Sequence, residues 1–112
     1  MITPVWIVGF TGHRPKNSPG RSSAELEHFA PLIRRELSAL QAKAVAQGGR
    51  AEFLCGVAAG ADVIAAREAS ALGMAVHVIL PMPEHEFEKD FAGPEFQEDL
   101  VLARRFIQEA KD

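Results

Sequence analysis

Apolar residues in this chain gather into three short runs separated by stretches with a helical period. The runs are Val5 to Phe10, Ala51 to Cys55 and Ala75 to Leu80. Each is too short for a helix, bounded by Gly or Pro and carries strand-favouring Val, Ile, Trp or Phe, so each predicts a strand. Val5 to Phe10 is continuously apolar, the pattern of a central parallel strand covered on both faces. Between the first two runs, Phe29, Leu32, Ile33, Leu37, Leu40 and Ala44 recur at a 3.6-residue spacing and predict one helix. Ser22-Ser23-Ala24-Glu25 reads as a capping box ahead of it. Pro31 is tolerated only in a first turn, so the helix starts properly near Ala30 or kinks there, and Gly48-Gly49 ends it. An alanine-rich helix follows over about Ala61 to Leu72, stopped by Gly73. Pro81-Met82-Pro83 closes the third strand, Glu84 to Phe91 reads as a short helical or irregular lid, and Gly93-Pro94 breaks it. A last helix carries Phe96, Leu100, Ala103, Ile107 and Ala110 on one stripe. Strands alternating with helices predict right-handed crossovers and a parallel sheet sandwiched between helices.

The totals narrow the class. One domain is expected from 112 residues, with 47% hydrophobic and 24% charged side chains typical of a soluble globular protein. A net charge of -3 argues against a nucleic-acid surface but leaves room for a local anion site. Cys55 is the single cysteine, which fits a reducing compartment. With no basic leader and no apolar run near the ~20 residues of a membrane helix, the expected location is cytoplasmic.

The candidate chemistry lies where the three strands end, the edge at which parallel α/β sheets bind ligands. Gly9-Phe10-Thr11-Gly12-His13-Arg14 presents a hydroxyl, an imidazole and a guanidinium from a tight glycine turn, a set suited to phosphate or carboxylate. Gly56-Val57-Ala58-Ala59-Gly60-Ala61-Asp62 opens a helix, whose first N–H groups and dipole favour an anion. Asp62 reads equally as a first-turn charge, an acceptor for ligand hydroxyls or a brace for the loop around His13. Neither a dinucleotide fingerprint nor a Walker loop is present. His77 reads as a structural residue inside its strand, and His28 and His85 as surface residues without metal spacing. Cys55 reads as a small core residue with a reactive role unsupported. Glu84, Glu86, Glu88 and Asp90 read as a solvated acidic face, with Asp90-Phe91 able to close over the site and Phe87 or Phe91 able to cover an aromatic ligand. No metal cluster, nucleophile elbow or paired carboxylates stand out.

Gly-Phe-Thr-Gly-His-Arg after the first strand, Gly-Val-Ala-Ala-Gly-Ala-Asp after the second, Leu-Pro-Met-Pro after the third and the later Asp90-Phe91 resemble the SLOG superfamily. That Rossmann-like group joins the SMF/DprA DNA-processing proteins and the LOG-type nucleotide hydrolases, and the branch with a TGHR first loop looks nearest. The resemblance implies an α/β, Rossmann-like three-layer sandwich with a parallel sheet, truncated here after three strands. It implies a nucleotide or nucleotide-derived small molecule across two loops: Gly9, Thr11, Gly12, His13 and Arg14 in the first, Gly56, Gly60 and Asp62 in the second, with Pro81 shaping the far wall. The residues name no cofactor. The Pro-Gly-Gly-x-Gly-Thr run of the hydrolase branch is missing, so the reading is a binding or sensing domain. A LOG-type hydrolase using Asp62 or Glu84 and a non-catalytic assembly module are the alternatives. The family's further strand pairs beside the first one. Its absence leaves that strand as an exposed apolar edge, and a homo-oligomer covering it, or a fused or associated effector, is expected.

Overall fold

The structure is a computed structural model and describes residues 3–10, 26–57, 61–80, 82–91 and 96–111. Its elements run β1 (Val5–Gly9), a 3₁₀ turn (Glu27–Phe29), α1 (Ala30–Ala46), β2 (Arg50–Cys55), α2 (Ala61–Ala71), β3 (Val76–Val78), α3 (Glu84–Phe87), a 3₁₀ turn (Glu88–Phe91) and α4 (Gln97–Lys111). The sheet order is β1-β2-β3, all parallel, with Val5 opposite Arg50 and Phe53 opposite Val76. The protein is therefore α/β, a three-stranded parallel sheet flanked by helices, consistent with a Rossmann-like fold. Among the described residues no helix is long and apolar enough to cross a membrane.

Glycine sets the ends of α1 and α2. After α1 the Gly48 N–H donates to the Val45 carbonyl and the Gly49 N–H to the Ala44 carbonyl, both at 2.9 Å. After α2 the Gly73 N–H donates to Ser70 and the Met74 N–H to Ala69, both at 3.0 Å. These are two copies of the Schellman closure, and Gly48 and Gly73 supply the left-handed residue it needs, at φ 78° and 84°. Pro31 occupies the first turn of α1, where its missing N–H costs nothing. Gly49 is required for a different reason. A Cβ there would lie 2.4 Å from the Pro4 carbonyl oxygen, which accepts the Arg50 N–H at 3.0 Å and starts the β1–β2 ladder.

The strands alternate in burial, so the helices cover one face. Ala51, Phe53 and Cys55 point into a core shared with Leu37 and Ala44 of α1, Val63, Ala66 and Ala69 of α2 and Ala103, Phe106 and Ile107 of α4. The opposite face carries Val5, Ile7, Glu52, Leu54, His77 and Ile79, with Ile7 and Ile79 each 57% exposed. There Glu52 accepts from Arg50 Nε at 2.9 Å and hydrogen-bonds His77 Nε2 at 2.6 Å, a polar row across two strands. The second helical face of a three-layer arrangement thus lies open among the described residues.

Among the described residues β1 is an edge strand with Val5 and Ile7 exposed, which corrects its reading as a central strand covered on both faces and agrees with the expected apolar edge. The Phe10 N–H donates to Leu54 and the Pro4 carbonyl accepts from Arg50. In a parallel ladder these bonds turn the even-numbered residues of β1 toward β2. The N–H and C=O groups of Val5, Ile7 and Gly9 therefore face the free edge. The apolar stripe of α1 is also only partly core. Leu37 and Ala44 are buried, while Phe29 and Leu32 remain about half exposed. Leu32 flanks a groove of about 280 Å³ between β1 and α1, lined also by Val8, Phe10, Ile33 and Leu40.

An ion-pair clasp joins α1 to α2. Glu68, 5% exposed, accepts from Arg34 Nε at 2.8 Å and from Arg67 at 3.2 Å. Arg67 in turn grips both oxygens of Glu27 at 2.6 and 2.7 Å.

Candidate functional site

The carboxyl ends of the three strands meet at one cleft. It is an open cleft of about 500 Å³, lined by Gly9 at the end of β1 and Phe10 after it, Leu54 and Cys55 at the end of β2 and Gly56 after it, Asp62 of α2 and Ile79 after β3. That volume lies in the range of small-molecule sites, roughly 300–1,000 Å³. Gly9 belongs to the first glycine motif and Gly56 and Asp62 to the second, and the fold brings all three to this one place. Thr11, Gly12, His13, Arg14, Gly60 and Pro81 lie outside the described residues, as do the capping box from Ser22 to Glu25 and the Gly93-Pro94 break.

Each described residue owes its place to its element. Gly9 ends β1 at the edge, and among the described residues nothing lies within 4 Å of where a Cβ would stand. Phe10 follows it, its ring 6.2 Å from the buried ring of Phe53, which ties the cleft wall to the core. Gly56 lies between two acceptors: a Cβ there would sit 3.5 Å from the Ile79 carbonyl oxygen and 3.6 Å from Asp62 Oδ2. Asp62 stands in the first turn of α2, 8% exposed, where the helix dipole favours its negative charge.

The turn after β2 carries strain that the residue types did not announce. Val57 has φ +47° and is fully buried. A β-branched residue in the left-handed region is held there at a cost of about 1–3 kcal/mol by the packing around it, and such residues cluster at binding sites. The Val57 N–H hydrogen-bonds the Cys55 sulfur, and the Cys55 thiol approaches the Asp62 carbonyl at 3.9 Å. Burial, and to a smaller degree the Asp62 charge, push the Cys55 thiol up to about 11. Cys55 is therefore a protonated wall atom at neutral pH, as its reading as a core residue anticipated.

The other candidates are placed away from the cleft. Phe87 and Phe91 are buried against each other in the core, ring centroids 5.3 Å apart, which corrects the expectation that either covers a ligand, because core packing takes both. Glu88 pairs with Arg104 of α4, and Glu84 does not line the cleft. His77 hydrogen-bonds Glu52 on the open sheet face, away from the cleft, and His28 and His85 are exposed. Among the described residues no three His, Cys, Asp or Glu side chains gather to hold a metal ion. Three apolar wall residues, Phe10, Leu54 and Ile79, are not singled out as site residues by the motifs, although their positions at strand ends are a usable signal.

Comparison with protein-family models, curated proteins and solved structures finds no match to this chain.

Proposed function

We propose that this is a cytoplasmic domain that binds a nucleotide-derived small molecule across the loops after β1 and β2, as a sensor rather than a catalyst. One observation carries the reading: Gly9, Gly56 and Asp62, from two separate glycine motifs, line a single cleft at the carboxyl ends of parallel strands. That is where doubly wound α/β sheets take their ligands. Two strand-end glycines keep the backbone approachable, and the strained Val57 fixes the second loop ahead of α2. In this reading Thr11, Gly12, His13, Arg14 and the Gly60 turn hold phosphate, and Pro81 shapes the far wall. Among the described lining residues Asp62 is the one carboxylate, so the acid/base pair of a hydrolase finds no support there.

Calorimetry with ADP-ribose and with mononucleotides, on the wild type and on Arg14→Ala, tests this. Binding by the wild type and an affinity at least about tenfold weaker in the variant are expected from loss of a charge-assisted phosphate contact. Equal affinity in both proteins would refute the assignment. The free edge of β1 supports a second element of the proposal, self-association through that strand. A sedimentation profile that stays monomeric at micromolar concentration would remove it.

A further inference from the structure

The described part of the cleft has a definite chemical polarity. Its walls are Phe10, Leu54 and Ile79, apolar surfaces suited to the face of a ring. Its polar atoms near Gly56 are both acceptors, Asp62 Oδ2 and the Ile79 carbonyl oxygen. No Lys, Arg or His is among the described lining residues. The Cys55 thiol adds neither charge nor strong donor. A group bearing O–H or N–H donors on a flat apolar body satisfies such a surface. A phosphate offers only acceptor oxygens and negative charge, and beside a buried carboxylate it would meet repulsion that little water screens.

We infer, resting on the nucleotide reading above, that this cleft receives the sugar-and-base end of the ligand, with ribose hydroxyls donating to Asp62 and to the Ile79 carbonyl and the phosphates held outside it. Gly56 is then a specificity position as well as a turn residue, because any side chain there would occupy the space between the two acceptors. Gly56 and Asp62 read the nucleoside, and phosphate binding is left to the groups outside this cleft.

Calorimetry on the full chain separates this from its alternatives. The probes are the four common ribonucleosides, their 5′-monophosphates, the 2′,3′-dideoxy form of whichever nucleoside binds, and inorganic phosphate. At least one nucleoside is expected to bind and to be displaced by its own monophosphate, while millimolar inorganic phosphate leaves it in place. Loss of both ribose hydroxyls is expected to weaken binding about ten- to a hundredfold in the wild type, the range for removing hydrogen bonds to a charged acceptor. In Asp62→Asn the same deletion should cost markedly less, a coupling that a merely structural aspartate would not produce. Gly56→Val, which leaves every charge in place, should abolish nucleoside binding while the protein remains folded by circular dichroism. Displacement of the nucleoside by inorganic phosphate, or tighter monophosphate binding by Asp62→Asn, would overturn the inference and leave nucleotide binding standing. Failure of every nucleoside and nucleotide to bind would overturn both.

Discussion

Gly48 and Gly49 are adjacent and identical in type, yet the structure requires glycine at each for a different reason, and alanine substitutions should separate the two. At Gly48 the φ of 78° is the whole constraint, since a Cβ would meet nothing within 4 Å. Gly48→Ala therefore costs the left-handed penalty alone, about 1 kcal/mol. At Gly49 the backbone is unexceptional, but an added Cβ falls 2.4 Å from the Pro4 carbonyl oxygen, about 1 Å inside the 3.4 Å at which ordinary contact begins. Neither side can yield freely. Withdrawing Pro4 breaks its 3.0 Å bond from the Arg50 N–H, and withdrawing Gly49 breaks its 2.9 Å bond to Ala44. Losing one such bond, leaving a partner unmet and shifting packed backbone together cost about 2–4 kcal/mol. For a domain of this size that is a Tm lower by about 8–16 °C. Urea unfolding followed by circular dichroism measures both variants against wild type at constant slope. If Gly49→Ala is no more destabilised than Gly48→Ala, the close approach of β1 to the end of α1 is wrong.

The remaining predictions concern charge and reactivity. Glu68→Ala should destabilise by about 2 kcal/mol, because Arg34 and Arg67 lose a buried acceptor; the Arg34–Glu68 coupling in a double-mutant cycle should stay near 1 kcal/mol or below, since Arg34 is half exposed. Cys55 should resist an aromatic disulfide reagent at pH 8 in the native protein and react fully in denaturant; prompt reaction of native protein would contradict its raised thiol pKa, about 11. The Arg67 hydrogen bonds hold the Glu27 carboxyl below its ordinary value of 4.5. Its stabilising contribution is therefore complete above that value and is lost as pH falls through the lower folded one. Denaturation followed from pH 6 to pH 3 should show a shallower decline in Glu27→Gln than in wild type.

Much of this architecture is legible in the sequence because its punctuation is local. Pro31, Gly48 and Gly73 mark helix ends by conformational rules that act within one turn, and the helix from Ala30, the stop at Gly48 and the element order agree with the structure. Gly9, Gly56 and Asp62 are legible as a group for a topological reason, since parallel strands carry their loops to one edge. What escapes local reading depends on distant partners. Nothing in the local sequence marks Glu68 as buried, because the Arg34 that meets it comes from another helix. The exposure of Phe29 and Leu32 follows from β1 being the last strand on that side, and a helical stripe cannot report where a sheet ends. Val57 in the left-handed region contradicts its residue type, and only the packing around a fully buried side chain holds it there.

The order of the strands in space also orders their assembly in time. β2 and β3 pair across about 23 positions of chain, whereas β1 reaches β2 across about 45, a longer closure at greater entropic cost. The α2-centred half, with Gly56, Val57 and Asp62, can therefore form as a unit before β1 docks along its side. Having one described neighbour and exposed Val5 and Ile7, β1 should also open ahead of the central strand β2 in the native ensemble. Amide exchange should then release the β1 protons well before those of β2. A transient undocking of that strand would part Gly9 and Phe10 from the cleft while its far wall stays intact, so a bound ligand would act as a rivet between the two halves and slow exchange along β1 most of all.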